Sequence, residues 1–406
     1  MKTILASVYA VNPFKGSEDG TGWNLVLQIA RYNKVIAVTR ENNRPHIEKY
    51  LQENSVPGAE NIQFVYYDLP YWMRFWKKGS RGALLYYYLW QLGMPRFIRK
   101  QAIEFDIVHN LNFHNDWTPS FLWRFKKPFV WGPVGHHPRV PKQFIAPVYG
   151  TRKWMADSIR WKAKQFFWSL DPFLQLTKSK ADRILAINSD VENKLHAGGK
   201  LVLMPAVATN DMQQAVQQNE VFTIISIGRF IALKGFDVTI RSFALFLHRL
   251  PAAQKDKVKL LLVGNGPELP LLKSLVKECG VEEYVEIVLW IERDALKQLY
   301  SSAKVFFFPS HEGAGMVVPE ALSCGLPVLC FDNEGPGEFI TEKSGIKIPY
   351  LSYAQSNSLF ADALEKLYTD TALWKAMSQG ARKQFEEVFQ WNSKGETLKL
   401  IYEQIA

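Results

Sequence analysis

The feature that most constrains this chain is a rhythm. Short apolar runs, rich in β-branched and aromatic residues, end in a turn with Gly, Pro or Asn and lead into a helical pattern, over and over. Runs of that kind are buried on both faces and belong to parallel sheets in βαβ connectivity. Thr3–Val11 reads as a strand leading into Gly16-Ser17-Glu18-Asp19-Gly20-Thr21-Gly22, with a helix near Trp23–Tyr32. Lys34–Thr39, Ile62–Tyr67, Asp106–Asn110 and Phe129–Trp131 read as further strands, with a helix over Arg44–Asn54. The rhythm breaks at Leu201–Glu220, where a short strand gives way to Pro205 and an Asn- and Gln-rich stretch, and it restarts with Phe222–Ile227. Strands at Val258–Val263, Val285–Leu289, Val305–Phe308 and Val328–Phe331 then alternate with helices at Asp237–Leu250, Glu268–Cys279, Arg293–Ser302 and Val318–Cys324. The expected fold is α/β with two doubly wound, Rossmann-like domains, which suits 406 residues. The boundary falls between 208 and 209.

Charge separates the halves. Residues 1–215 hold 29 Lys and Arg against 16 Asp and Glu, and ten of the 13 Trp. The remainder is close to neutral. A polyanionic partner or a membrane surface is therefore expected on the first half only. The three cysteines, Cys279, Cys324 and Cys330, have no zinc-type spacing and fit a reducing cytosol. The apolar start runs into Asn12-Pro13 without a small-residue cleavage site, so it reads as a core strand rather than a signal peptide. Ala83–Met94 is too short to span a bilayer, which takes ~20 residues.

Three loops carry chemistry. Phe308-Pro309-Ser310-His311-Glu312-Gly313-Ala314-Gly315-Met316-Val317-Val318-Pro319-Glu320 is a strand end, a small-residue loop and a helix start. Loop N–H groups and a helix N-terminus favour an anion, and glycines let backbone approach a ligand. Glu312 and Glu320 are acceptor-only when ionised and suit vicinal hydroxyls. Gly228-Arg229-Phe230-Ile231-Ala232-Leu233-Lys234-Gly235 follows the first strand of the second domain. Its two cations suit a diphosphate. Val263-Gly264-Asn265-Gly266-Pro267 is a third strand–glycine turn. In the first domain, Gly20 and Gly22 before a helix are candidates for close approach to a phosphate. His109, at the end of a core strand, is a candidate to orient or deprotonate an acceptor. His136 and His137 follow a Gly-Pro-Val-Gly turn at another strand end.

Together G-R-x4-K-G, V-G-x-G-P, P-S-x-E-G-x-G-x4-E-A and G-x-P-V resemble the retaining glycosyltransferases of family 4, which have the GT-B fold. The resemblance is strong over Phe222–Tyr350 and looser in the first half. It implies two Rossmann-like domains facing across a cleft. Residues 1–208 would bind the acceptor and 209–388 the nucleotide sugar, with 389–406 as a C-terminal helix crossing back to the first domain. It implies a nucleoside-diphosphate sugar as donor substrate, UDP being the expected carrier, and no cofactor. Arg229 and Lys234 would take the diphosphate, Glu320 the ribose and Glu312 the sugar at the reacting centre. Gly313, Ala314 and Gly315 would offer backbone to phosphate and sugar, with Gly266 and Trp290 completing the donor site. Leu289 stands where the family often has Gly, and His109-Asn110-Leu111 lacks one His of the family's H-x-H. With no D-x-D run, the expected transfer is metal-independent.

Tyr66–Lys100 and Gly150–Leu176 interleave aromatic with basic residues, among them Tyr71, Trp72, Phe75, Arg74, Lys77 and Lys78. That pattern suits peripheral contact with an anionic membrane on its cytoplasmic face, with no nucleic-acid module in sight. The function expected is a glycosyltransferase of cell-surface polysaccharide or glycolipid synthesis. A nucleotide-sugar epimerase and a non-catalytic sugar-nucleotide binder are the alternatives. The first would have no need of the basic aromatic half, and the second no need of the intact charged set.

Overall fold

A computed structural model describes residues 1–79, 82–112, 115–212, 220–289 and 291–405, without the side chains of Ser17, Arg293 and Asp294. Among the described residues thirteen strands form two all-parallel sheets. The first contains β1 (Thr3–Ser7), β2 (Lys34–Thr39), β3 (Ile62–Tyr66), β4 (Ile107–Asn110), β5 (Phe129–Val134), β6 (Arg183–Ala186) and β7 (Leu201–Leu203). Their spatial order is β3-β2-β1-β4-β5-β6-β7. The second contains β8 (Phe222–Ile227), β9 (Val258–Val263), β10 (Val285–Val288), β11 (Val305–Phe308), β12 (Val328–Phe331) and β13 (Gly345–Ile348). Their order is β10-β9-β8-β11-β12-β13. Each is the doubly wound arrangement expected from the rhythm of the sequence. The central strands are buried along their whole length, β4, β5, β8, β11 and β12 without exception, because helices cover both faces.

The chain divides into two compact units. One comprises residues 1–136, 162–208 and 391–406, and the other 137–161 and 209–390. In the first unit the Trp391–Ile405 helix lies against the Ser17–Ala30 helix, burying Trp391, Leu398, Ile401 and Tyr402 in a cluster with Trp23, Val26 and Ile29. The stretch 137–161, which the sequence reading assigns to the first domain, packs with the second unit instead. Phe144 of the Lys142–Tyr149 helix is buried against His311, Phe331, Tyr350 and Tyr353. The Tyr149 hydroxyl donates to the buried carboxylate of Asp237 at 2.9 Å, and Tyr353 donates to its other oxygen at 2.8 Å. Burial raises the Asp237 carboxyl, with the two tyrosine hydrogen bonds opposing. Aromatic side chains bury large areas, which explains why this short helix sides with β12 and β13 rather than with its chain neighbours.

The first helix begins earlier than expected, at Ser17, with Gly16 as its N-cap. Glu18 and Asp19 fall in its first turn, where a helix N-terminus favours negative charge. Among the described residues no helix is long and apolar enough to cross a membrane.

Candidate functional site

In each sheet the strand order reverses beside the first strand, between β1 and β4 and between β8 and β11. Loops leaving two such strands run to opposite faces and open a crevice at the carboxyl ends. In the second unit those loops are 228–235 and 309–316, the two most informative stretches of the sequence. β8 and β11 pair directly, Ile224 opposite Val305, so the two loops leave side by side.

Glycine geometry locks them together. Gly235 has φ +69°, and a Cβ there would lie 2.2 Å from the carbonyl oxygen of Pro309. His311 N–H donates to the Leu233 carbonyl at 2.8 Å, and Ser310 Oγ to the same oxygen at 3.2 Å. The result is an ion pair: Lys234 Nζ stands 2.5 Å from Glu312 Oε1. Both side chains are 16% exposed, which takes the pair out of the class of solvated surface bridges. Burial pushes the Glu312 carboxyl up and Lys234 opposes that shift. The ammonium also lies 4.9 Å from the centre of the Phe308 ring.

The second glycine turn interlocks with the first. A Cβ on Gly264 would meet the Gly228 carbonyl, and one on Gly266 the backbone of Phe230. Phe230 N–H donates to Asn265 O at 2.9 Å and Glu268 N–H to Phe230 O at 3.2 Å. These bonds fix the backbone on either side of Arg229, whose side chain is exposed and has no carboxylate partner among the described residues. Gly313 and Gly315 are buried and Ala314 is partly exposed. Glu320 lies in the first turn of the Val317–Ser323 helix and accepts from the fully buried Tyr300 hydroxyl at 3.1 Å. Burial holds that phenol well above its usual range, and the neighbouring carboxylate adds to the effect. Arg229, Lys234, Glu312 and Glu320 thus all follow the carboxyl ends of β8 and β11. The pair in direct contact is Lys234 and Glu312. Trp290 lies outside the described residues.

Sequence reasoning missed the bracing behind this loop. Buried Asn333 donates to Ser310 O at 2.9 Å, while its Oδ1 accepts from Gly335 N–H and Gly337 N–H at 3.2 and 3.1 Å. A Cβ on Gly335 would collide with the Glu312 carbonyl. His311 Nδ1 sits 2.9 Å from the Tyr350 hydroxyl inside an aromatic stack, and burial lowers its pKa to about 3. The signal available was Asn333 ahead of two spaced glycines.

The first unit corrects two expectations. Gly20 and Gly22 are inside the first helix, not before it, and serve close packing of the chain on itself. A Cβ on Gly22 would lie 2.1 Å from Ala10 O, and one on Gly20 2.4 Å from Lys15 O. Asn112 closes the same spot by donating to Ala10 O at 2.7 Å. His109 is not poised for an acceptor. It is fully buried, its Nδ1 is 2.6 Å from the Tyr402 hydroxyl and its Nε2 is 2.6 Å from Gly132 O. Gly132 O can only accept, so Nε2 donates to it, and with Nδ1 on the Tyr402 hydroxyl both ring nitrogens are engaged. Burial lowers its pKa to about 4, with the Gly132 bond opposing. Its visible work is to tie the C-terminal helix to β4 and β5. His136 is also buried, and its Nδ1 is 2.8 Å from Asp116.

Among curated proteins the chain is similar to a GDP-mannose-dependent alpha-(1-6)-phosphatidylinositol monomannoside mannosyltransferase of Mycobacterium tuberculosis, 26% identical over 195 residues, 46% of this chain and 48% of that one. The chain spans about half the length of the curated relatives it matches. Solved structures extend the likeness of fold to the whole chain. A sucrose-phosphate synthase from Thermosynechococcus elongatus superposes with TM-score 0.64 at 18% identity, covering 100% of this chain and 99% of that one. Anabaena HepE, solved with UDP and glucose, superposes with TM-score 0.59 at 16% identity, covering 100% of both. The fold they share with this chain is GT-B, two Rossmann-like α/β domains. Residues 207–384, which contain the whole loop cluster of the second unit, match the family model of glycosyl transferases group 1.

Proposed function

We propose that this protein moves a sugar from a nucleoside-diphosphate sugar to a glycan or lipid-linked acceptor, without a metal and with retention at the anomeric carbon. The observation that carries the reading is the Lys234–Glu312 pair at the carboxyl edge between β8 and β11, inside the stretch that matches group 1 glycosyl transferases. The charge that develops on a departing diphosphate needs fixed donors in place before reaction. Arg229 and Lys234 fill that role. An ammonium has three donors, so Lys234 can hold phosphate while keeping Glu312 oriented. Glu312 faces the sugar at the reacting centre, and the 313–315 backbone cradles sugar and phosphate. Glu320, its rotamer fixed by Tyr300, accepts from the ribose hydroxyls. Gly266 keeps the neighbouring turn low enough for the nucleotide. UDP is the first carrier to try, since a structural neighbour holds it; GDP follows, since a curated relative is GDP-mannose-dependent.

The first unit takes the acceptor. Tyr71, Trp72 and Phe75 are exposed beside Arg74, Lys77 and Lys78, and this belt suits the anionic cytoplasmic face of a membrane. A lipid-linked acceptor fits the name of the mycobacterial relative.

The test is a thermal-shift screen against UDP-, GDP- and ADP-sugars, followed by turnover of whichever donor stabilises the protein. Glu312→Gln is expected to lower kcat by ~100-fold with little change in KM. Arg229→Ala is expected to weaken donor binding, and excess chelator to leave turnover intact. No stabilising donor, or near-normal turnover by Glu312→Gln, refutes the reading.

A further inference from the structure

The amino edge of the first sheet carries a concentration of positive charge that donor chemistry at the other unit leaves unused. The Ala83–Lys100 helix ends in Arg96, Arg99 and Lys100. Arg124, Lys126 and Lys127 surround Trp123 in the turn ahead of β5, and Lys180 ends the Pro172–Lys180 helix ahead of β6. These residues line one open pocket of about 920 Å³.

Two features set this charge apart from one balanced within the chain. Arg99 donates to Arg124 O at 2.6 Å and lies over the Phe125 ring, while Arg124 lies over Trp123. The guanidinium groups are thus held in place by backbone and rings, not by carboxylates. Two acids at this edge are engaged elsewhere: Asp106 accepts from Thr3 N–H and Asp182 from Phe129 N–H, both at 2.8 Å, while Glu104 is exposed and pairs with none of these cations among the described residues. Among the described residues none of the seven cations has a carboxylate partner. Cations at helix C-termini do offset the helix dipole, but two helix ends amount to roughly one unit of charge. Seven cations far exceed that.

We propose that this pocket binds a compact anion with two or more phosphate groups. Arginine forks match phosphate oxygens in pairs, and the density of charge exceeds what a single carboxylate can satisfy. The pocket is not the exposed aromatic belt. The belt flanks the start of the Ala83–Lys100 helix and the pocket its end, and 18 residues span ~27 Å. The phosphates belong either to a free polyphosphorylated molecule or to lipid headgroups, and the test separates the two. The pocket is independent of the donor site and of the transferase reading.

The probes are inorganic tripolyphosphate, titrated calorimetrically, and vesicles of phosphatidylcholine with or without phosphatidylglycerol and cardiolipin, read by flotation. Both are applied at low salt to the full chain in an Arg229→Ala background, which weakens competing phosphate binding at the second unit. The Lys126→Glu/Lys127→Glu variant changes two exposed side chains and is expected to lose ~10-fold or more in tripolyphosphate affinity. Trp72→Ser/Phe75→Ser is expected to leave that affinity unchanged. Loss of flotation in the lysine variant, with the aromatic variant still floating, assigns the site to headgroups. Tripolyphosphate binding without such a flotation effect assigns it to a free ligand. If the background protein binds neither probe, or the lysine variant binds both unchanged, the proposal falls. Donor stabilisation in the wild type is scored separately and stands or falls alone.

Discussion

Replacing Gly235 with alanine tests whether the Lys234–Glu312 site is held by close approach of two loops or merely by the charge pair. Two costs are separable at this position. The first is conformational. With φ +69°, an alanine there pays about 1–2 kcal/mol for the left-handed region, partly offset by ~0.4–1 kcal/mol from a less flexible unfolded chain. The second is steric. Its Cβ would stand 2.2 Å from Pro309 O, so the backbone must shift by about 1 Å, at a further cost of ~1–3 kcal/mol. Gly280 isolates the first cost, since it has φ +63° and a methyl group placed there would have nothing within 4 Å. Gly280→Ala is therefore expected to lose about 1 kcal/mol, and Gly235→Ala ~2–4 kcal/mol. Equilibrium urea unfolding of wild type and both variants, with m-values checked for constancy, measures the difference. The same ~1 Å displacement separates the loop of Lys234 from that of Glu312, and misplacement on that scale costs ~100-fold in turnover. Gly280→Ala is expected to keep full turnover. Equal stability of the two variants would refute the close-approach argument, whatever became of activity.

Two further outcomes follow from the packing. The His109 pKa is depressed in the folded protein, so the stability it contributes is present above the unfolded value near 6.5 and is lost as pH falls toward about 4; His109→Gln should flatten acid destabilisation in that window by up to ~3 kcal/mol while leaving donor binding intact, and an unchanged pH profile by urea unfolding would contradict the assignment. Phe144→Ala should cost ~3–5 kcal/mol and raise amide hydrogen exchange in β12 and β13 while β1, β4 and β5 stay protected; faster exchange confined to residues 137–161 would detach that stretch from the second unit.

What the sequence made legible, and what it hid, divides along a physical line. Strands such as Lys34–Thr39, Phe222–Ile227, Val258–Val263 and Val328–Phe331 were readable to the residue, because a strand buried on both faces is mostly apolar, with single polar residues such as Ser226 and Lys259, and stops where a turn begins. β6 and β13 were missed: each is four residues long, Arg183 opens the first and leaves three apolar residues, and Lys347 interrupts the second. The site was legible for a related reason. Glycines that allow two backbones to touch leave fixed spacings in the chain, so Gly228, Gly235, Gly264 and Gly266 could be read as loops at one sheet edge before any fold was known. Gly20 and Gly22 show the limit of that inference. The same freedom that admits a phosphate admits a carbonyl, and here the neighbour is Ala10. His109 shows another limit. A histidine at a strand end is open to a substrate only if nothing else reaches its nitrogens, and the residue that reaches it, Tyr402, is 293 positions away. Local pattern fixes where a side chain leaves the backbone; only the return of a distant segment decides whether it is still available to a substrate. By that criterion Glu312 is the stronger candidate, because Lys234, the residue that reaches it, can hold a phosphate without letting go.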